Sequence, residues 1–425
     1  MKSIHVLFAL LLFGQILFAA EQFVVSDVQI QGLKRTHSWI ILRELEFSIG
    51  DTVSQNELIL AEKRLQNLTF LNSVSLHADS GGTVIVDVRE AWPILPLLTI
   101  NLTEGTVTDI LKSPHSFFKK ATIFAGVGHL NFRGSGSMAL AYAQLGAAQG
   151  LSFEYHTRCL SPHIPLAVDA GISNLRALDR EWSVRDSTAY LRSANYFLSV
   201  ATRAGAPNRL GLRLQYLGIE KETPLPHQPR RTRTFWLSPF VIMDRRDLEW
   251  YPSRGVFARV GADFTGGDKQ FVRSQYDLRG YFPFSKRSRS PLLALRFYGA
   301  TSTSSTSGWA EYFWGFSSAL RGYTGIQSQS AGYLVGDVEF RFPITREKTY
   351  NAPFIGSYGE RWPFGIYGLV FAQRAELQRD GRRDERGAIG GGLHVRLPYV
   401  QILEIAIAIN RDGDTEYEIN TGVSF

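Results

Sequence analysis

The sequence predicts a mostly β fold: a transmembrane antiparallel β-barrel of about sixteen strands, preceded by one small α+β module. Three observations carry this. From Pro93 to Phe425, short segments alternate between apolar and mixed positions, separated by Gly, Pro, Ser and charged turns. Beyond the N-terminal segment no apolar run is long enough for a spanning helix, yet mean hydropathy is only −0.09. A barrel whose polar lumen face dilutes its apolar outer face has that combination. Residues 23–92 follow a different grammar, in which a helical period replaces alternation.

Met1–Ala20 reads as a secretory signal, with Lys2 in front of the apolar core Val6–Phe13. The segment is short for a spanning helix and Gln15 interrupts it, although an uncleaved anchor is the other reading. No cysteine follows the apolar core, so no lipoprotein processing is expected.

Residues 21–92 form the first domain, with a β-α-α-β-β order. Val28 and Ile30 share one face of the first strand. Ser38–Phe47 is a short helix with Ile41, Leu42 and Leu45 at apolar spacing, ended by Gly50-Asp51. Ser54 caps a second helix, and Glu57 three residues on completes a capping box. Leu58, Ala61, Leu65 and Leu68 make its apolar stripe. Phe70 and Val74 lead into a strand pair, and Val84, Val86 and Val88 alternate in the last strand. With Gly32 and Leu33-Lys34-Arg35-Thr36 near the start and Glu90-Ala91-Trp92 at the close, the segment resembles one POTRA (polypeptide-transport-associated) domain.

Residues 93–425 form the barrel. Val256, Ala258, Val260, Ala262 and Phe264 share one face of a strand, opposite Arg259 and Asp263. Leu393, Val395 and Leu397 oppose His394 and Arg396. Leu403, Ile405, Ile407 and Ile409 oppose Glu404 and two alanines. Charge on one face and unbroken apolar side chains on the other is a lipid-out, lumen-in pattern. Roughly 330 residues, at about ten per strand and as many per connection, give about sixteen strands. The first is expected between Pro93 and Gly128, with Thr122–Gly128, just before the glycine turn Asn131-Phe132-Arg133-Gly134-Ser135-Gly136, as the favoured segment.

The stretch Leu320-Arg321-Gly322-Tyr323 is preceded by the aromatic run Tyr312-Phe313-Trp314-Gly315-Phe316 and followed by Gly336-Asp337-Val338-Glu339-Phe340-Arg341-Phe342-Pro343. With these flanks it resembles the inward loop of the outer-membrane assembly and transport superfamily, to which BamA, TamA and the two-partner-secretion transporters belong. A second Arg-Gly-Tyr, Arg279-Gly280-Tyr281, lacks the flanks and reads as strand and turn. Gly322 lets the backbone turn, and Arg321 offers five donors to inward acceptors. Glu339 faces inward because Val338, Phe340 and Phe342 take the other face. The resemblance implies a further acid in a later strand. At that position stands Gln373, with Ala375 in place of a glycine. The run Asp244-Arg245-Arg246-Asp247 with Pro252-Ser253-Arg254-Gly255 is similar to a strand–turn–strand of the family, and its aspartates are expected to pair with neighbouring arginines. Tyr417, Ile419, Val423 and Phe425 share one face of the last strand and resemble the terminal signal of outer-membrane barrels.

The lone Cys159 excludes an internal disulfide framework. Net charge is +7, with basic clusters at 230–233, 286–289 and 382–383. They read as solvated turns between strands; no nucleic-acid motif accompanies them. Histidines are scattered without metal-ligand spacing, and the glycine-rich 387–392 precedes no helix, so neither catalytic nor cofactor motif is found. The resemblance implies outer-membrane protein insertion or polypeptide translocation without nucleotide, with the first domain in the periplasm. Partners would be unfolded outer-membrane or secreted polypeptides at the POTRA edge and barrel seam, outer-membrane lipid, and periplasmic accessory proteins. The alternatives are a passive pore or a structural surface-antigen barrel.

Overall fold

The computed structural model describes residues 22–102, 117–179, 189–203, 208–224, 229–285, 290–303, 312–314, 320–323, 328–379, 382–397 and 401–421. The proposed signal lies outside them.

The N-terminal module contains β1 (Gln22–Val24), β2 (Asp27–Gln31), α1 (Ser38–Leu45), β3 (Thr52–Ser54), α2 (Gln55–Gln66), β4 (Leu71–Ala78) and β5 (Thr83–Glu90). Its sheet has the order β2-β5-β4, with β2 and β5 parallel and β5 and β4 antiparallel; β1 and β3 form a separate pair. The capping box forms as expected: Ser54 accepts from the Glu57 backbone, and the Glu57 carboxylate accepts from the Ser54 N–H at 2.7 Å. These bonds hold the Glu57 carboxyl below the usual carboxylate range. Leu58, Ala61, Leu65 and Leu68 are buried against Val84, Val86 and Val88. In α1 the core residues are Ile40, Ile41 and Leu45, whereas Leu42 is exposed. Glu90, at the end of β5, accepts backbone N–H bonds from Lys34, Arg35 and Thr36 at 2.9–3.2 Å. Burial pushes its carboxyl up, but the bonds from the Thr36 side chain and these backbone groups outweigh it and leave it lowered.

The wall begins with β6 (Ile94–Leu102), β7 (Ala121–Phe132), β8 (Ser137–Gly146), β9 (Gln149–Thr157), β10 (Leu166–Leu178) and β11 (Tyr190–Thr202). It continues with β12 (Asn208–Lys221), β13 (Arg231–Asp244), β14 (Gly255–Gly267), β15 (Val272–Pro283) and β16 (Leu292–Ser302). A small pair, β17 (Tyr312–Trp314) and β18 (Ser328–Ser330), lies in the next connection. Then follow β19 (Gly332–Pro343), β20 (Lys348–Tyr350), β21 (Trp362–Arg379), β22 (Arg382–Leu397), β23 (Gln401–Asn410) and β24 (Thr415–Thr421). Among the described residues the curled sheet has seventeen strands. Sixteen run the wall; the three-residue β20 pairs only alongside Trp362–Phe364 at the start of β21, and β19 pairs with β21 directly.

The first wall strand is β6, inside the expected window Pro93–Gly128 but ahead of its favoured segment Thr122–Gly128, which lies in β7. Ile94–Leu98 is apolar throughout, so alternation is confined to Leu98–Leu102, and the strand contains Pro96, a residue that edge strands tolerate because it has no N–H to donate. Wall strands are joined by antiparallel ladders from β6 round to β24. β24 and β6 are neighbours in the ring, but no register is defined between them among the described residues.

Alternation sorts the side chains as expected. Leu393, Ile405, Ile407 and Ile409 are exposed on the outer face, whereas His394, Glu404, Ala406 and Ala408 are buried. No described helix is long and apolar enough to cross a membrane. The apolar outer surface belongs to strands.

Candidate functional site

The connection between β16 and β19 brings Leu320–Tyr323 against the inner faces of β21 to β24. Gly322 has φ +75, a conformation that disfavours a side chain; a Cβ there would lie 3.3 Å from the Asn410 Cβ. Backbone bonds fix the tip. The Arg321 N–H donates to Gln373 Oε1 at 2.9 Å. The Gly322 N–H donates to Glu418 Oε1 at 2.8 Å, and Asn410 Nδ2 donates to the Gly322 carbonyl at 2.9 Å. The Tyr323 hydroxyl donates to the Gly387 carbonyl at 3.0 Å and accepts from the Arg411 N–H at 3.3 Å.

The Arg321 guanidinium is buried. Its Nη2 donates to Glu339 Oε2 at 2.9 Å and to Glu404 Oε2 at 3.1 Å, and its plane lies 4.0 Å from the Phe371 ring centre. Glu339 also pairs with Arg341. Glu404 accepts from His394 Nε2 at 2.8 Å, and His394 Nδ1 faces the Tyr251 hydroxyl at 3.3 Å. Ionic groups so fully removed from water are tolerable only when each has partners. Here two carboxylates share three cationic or hydrogen-bonding neighbours. The result is a rigid attachment of the loop to β19, β21, β22, β23 and β24.

Gln373 stands where the family resemblance implied an acid, and it accepts from the Arg321 backbone. Asp337 lies directly across the β19–β21 ladder from Gln373 and hydrogen-bonds it, so a carboxylate enters the same row from the neighbouring strand. Ala375, in place of the glycine, is buried against Leu320 and Tyr323. Arg279 sits in β15, paired with Asp277 at 2.5 Å, away from the loop.

Asp244 pairs with Arg246 at 2.7 Å. Asp247 does not pair with an arginine, contrary to expectation. Its partners are Lys63 of α2 at 2.6 Å and Ser253. Gly255 has φ +109, and a Cβ there would lie 2.2 Å from the Arg245 carbonyl oxygen, so the turn into β14 requires glycine. Tyr417 and Ile419 are exposed on the outer face of β24, with Glu418 turned inward. Val423 and Phe425 lie outside the described residues.

Glu404, Glu418, Asn410, His394 and Asp337 were not named as loop partners from the sequence. Alternation places Glu404 inward, but nothing local signals that it meets Arg321, which lies 83 positions earlier.

The module sits against one rim of the barrel. Asn131 Nδ2 donates to Thr36 Oγ1 at 2.8 Å, and the His37 N–H donates to the Gly134 carbonyl at 3.0 Å. The Glu249 N–H donates to Asn67 Oδ1 at 2.8 Å. Burial pushes the Asp247 carboxyl up, but the bonds from Lys63 and Ser253 outweigh it and hold it below the usual carboxylate range. Asn72 reaches the Tyr358 carbonyl at 2.7 Å, and Arg361 pairs with Asp87 at 3.1 Å.

A small α+β module followed by a sixteen-stranded wall, with a loop attached inside, defines a class of β-barrel that carries an N-terminal domain. A family model described as the Omp85 superfamily domain matches residues 131–425. A model described as the surface antigen variable number repeat, a POTRA model, matches residues 23–91. The chain belongs to the Omp85 superfamily and carries one POTRA domain. The structure is similar to that of BamA from Haemophilus ducreyi lacking POTRA domains 1–3, with a TM-score of 0.54 at 15% identity, covering 94% of this chain and 83% of that one. It is also similar to CdiB from Acinetobacter baumannii, with a TM-score of 0.52 at 13% identity, over 94% of this chain and 74% of that one. CdiB from Escherichia coli gives a TM-score of 0.52 at 10% identity, over 97% and 91%. At these identities the likeness is one of fold.

Proposed function

We propose that this chain inserts or translocates polypeptides at the outer membrane, with its POTRA domain on the periplasmic side. No nucleotide enters the scheme; the free energy is that of client folding. Clients would be unfolded outer-membrane or secreted polypeptides, with periplasmic accessory proteins assisting delivery.

One observation carries the reading most: the loop holds the C-terminal flank of the seam. Glu418 lies on β24 itself, and Asn410 and Glu404 lie on β23 beside it. The wall strand hydrogen-bonded next to β24 in the ring is β6, so this junction joins the two ends of the wall. An edge with open backbone donors and acceptors can accept an added strand whatever its side chains. A loop that fixes one side of such an edge keeps it presentable while the other side moves. A passive pore has no use for such a clamp. The replacement of an acid by Gln373 is what favours the second reading, a structural barrel. Asp337 in the same row restores a carboxylate and weighs against it.

The test is a cysteine pair joining β6 to β24 in a Cys159→Ser background, at positions whose Cα atoms lie within about 7 Å. The oxidised protein should lose client handling, and reduction should restore it. Normal client handling with the crosslink verified would exclude parting of the seam.

A further inference from the structure

A second feature of the lumen lies away from the loop, on the wall formed by β8 to β14. A cavity of about 460 Å³ opens there beside the POTRA domain, whose Thr69 lines it together with Gly136 of the β7–β8 turn. Its charges can be accounted for one by one. Arg158 meets Glu249 through two bonds, at 3.1 and 2.7 Å. Arg209 lies 3.5 Å from Asp244. His156 Nδ1 lies 3.0 Å from Asp169. Arg213 and Arg259 remain. Neither has an ion pair or hydrogen bond among the described residues, and Arg213 Nε is buried without an acceptor.

Both guanidiniums lie over aromatic rings, Arg213 at 4.1 Å from the centre of Phe197 and Arg259 at 5.1 Å from that of Phe240. Stacking restrains a guanidinium in a plane while leaving its edge donors for an oxyanion, which a fork of N–H groups matches well. The rest of the lining is largely apolar, including Leu130, Met138 and Ile242. A free hydrated ion gains nothing from apolar walls. A short peptide segment gains from both kinds of surface, and the volume falls within the range of about 300–1,000 Å³ typical of pockets for ligands of that size.

We propose that this cavity binds acidic side chains of a polypeptide entering from the POTRA side, with Arg213 and Arg259 as the residues that select carboxylates. The proposal rests on the polypeptide-handling reading and adds a preference for clients with Asp or Glu in the entering segment. It assigns the β8–β14 wall a recognition role, separate from the loop attachment on β19 to β24.

The experiment uses the full chain in detergent micelles and two fluorescein-labelled peptides, one alternating Glu with Leu and one with Gln in place of Glu. Fluorescence anisotropy at low salt should show the Glu peptide binding about tenfold more tightly, because two charge-assisted contacts are gained. Salt should erase the difference. In Arg213→Gln/Arg259→Gln the two peptides should bind alike, whereas Arg213→Lys/Arg259→Lys should keep part of the preference. Retention of the unheated gel mobility checks that each variant is folded. An undiminished preference in the folded glutamine variant overturns the proposal. Equal binding of both peptides to the wild type overturns it while leaving polypeptide handling intact; failure of both to bind overturns the two together. If inorganic phosphate binds with the same dependence on the two arginines while the Glu peptide shows none, the site is one for small anions and the proposal is also overturned.

Discussion

Replacing Arg321 with alanine tests whether the loop is held by its charge. The change removes two charge-assisted bonds, to Glu339 and Glu404, and the stacking on Phe371. Hydrogen bonds to charged groups contribute about 1.5–3 kcal/mol each. The larger penalty for an orphaned buried charge is only partly incurred, because Glu339 keeps Arg341 and Glu404 keeps His394. The backbone bonds of Arg321 and Gly322 and the bonds of Tyr323 also survive. A net loss of about 3 kcal/mol shifts the docked-to-undocked ratio of the loop about a hundredfold. Leu320 is 1% exposed, so a cysteine placed there in a Cys159→Ser background reports undocking through its rate of labelling by a water-soluble maleimide. That rate should rise about a hundredfold with Arg321→Ala, and client handling should fall. Arg279→Ala, which removes one of two arginines paired with Asp277 at a site away from the loop, should change labelling by less than about threefold. An unchanged rate in a folded Arg321→Ala protein, or an equal rise with Arg279→Ala, would refute the attachment described here.

Gln373→Asp should loosen the loop despite restoring the family's usual acid, since Asp337 lies directly across the ladder and two carboxylates would then face each other; the same labelling assay should show a faster rate. Asp247→Asn should weaken docking of the POTRA domain, read as faster proteolysis between Ala91 and Ile94. The lowered Asp247 carboxyl gives the wild type a matching acid dependence: its contribution is full above the unfolded value of about 3.9 and is lost only as pH falls through the lower folded value, so docking should be unchanged from neutral pH to about pH 4. Purified protein should require detergent and migrate faster on gels when unheated, because the barrel resists unfolding; a detergent-free soluble monomer would contradict the fold.

Much of this architecture is legible in the sequence because a period of two is hard to disguise over ten residues. Glu339 among Val338 and Phe340, and Glu404 among Leu403 and Ile405, can face only the lumen. Elements fail to show where that signal is absent. Ile94–Leu98 is apolar on both faces and contains Pro96, and alternation is confined to Leu98–Leu102, so β6 does not announce itself as a wall strand. In α1, Ile40 rather than Leu42 faces the core; Leu42 is spaced three from Leu45, whereas Ile40 has Arg43 and Glu44 at three and four, so spacing alone favours the residue that ends up exposed. Pairings are less legible still. Asp247 reads as a partner for the adjacent arginines, but its cation is Lys63, 184 positions earlier in another domain. Charge complementarity restricts partners by sign, and topology alone selects among them.

The distribution of buried contacts bears on how the seam could part. On one side, the loop holds β23 and β24 through Glu404, Asn410 and Glu418, all buried. On the other, the POTRA domain holds the turns after β7 and β13 through Thr36–Asn131 and Lys63–Asp247, which are also largely removed from water. The domain's contacts across to 358–361 are of a different kind: Arg361 and Glu360 are half exposed, and such ion pairs are worth about 0–1 kcal/mol each. Separating β24 from β6 would therefore leave both buried sets intact and strain the solvated pairs and the Asn72–Tyr358 bond, together with the backbone bonds that join the two strands. Each flank of the seam is tied to its own set of contacts, and the two sets meet through Tyr251 and His394, away from the seam's own backbone bonds. A client strand that supplies backbone bonds to either edge can offset most of that cost as it forms, which is how folding of the client could drive opening without a nucleotide.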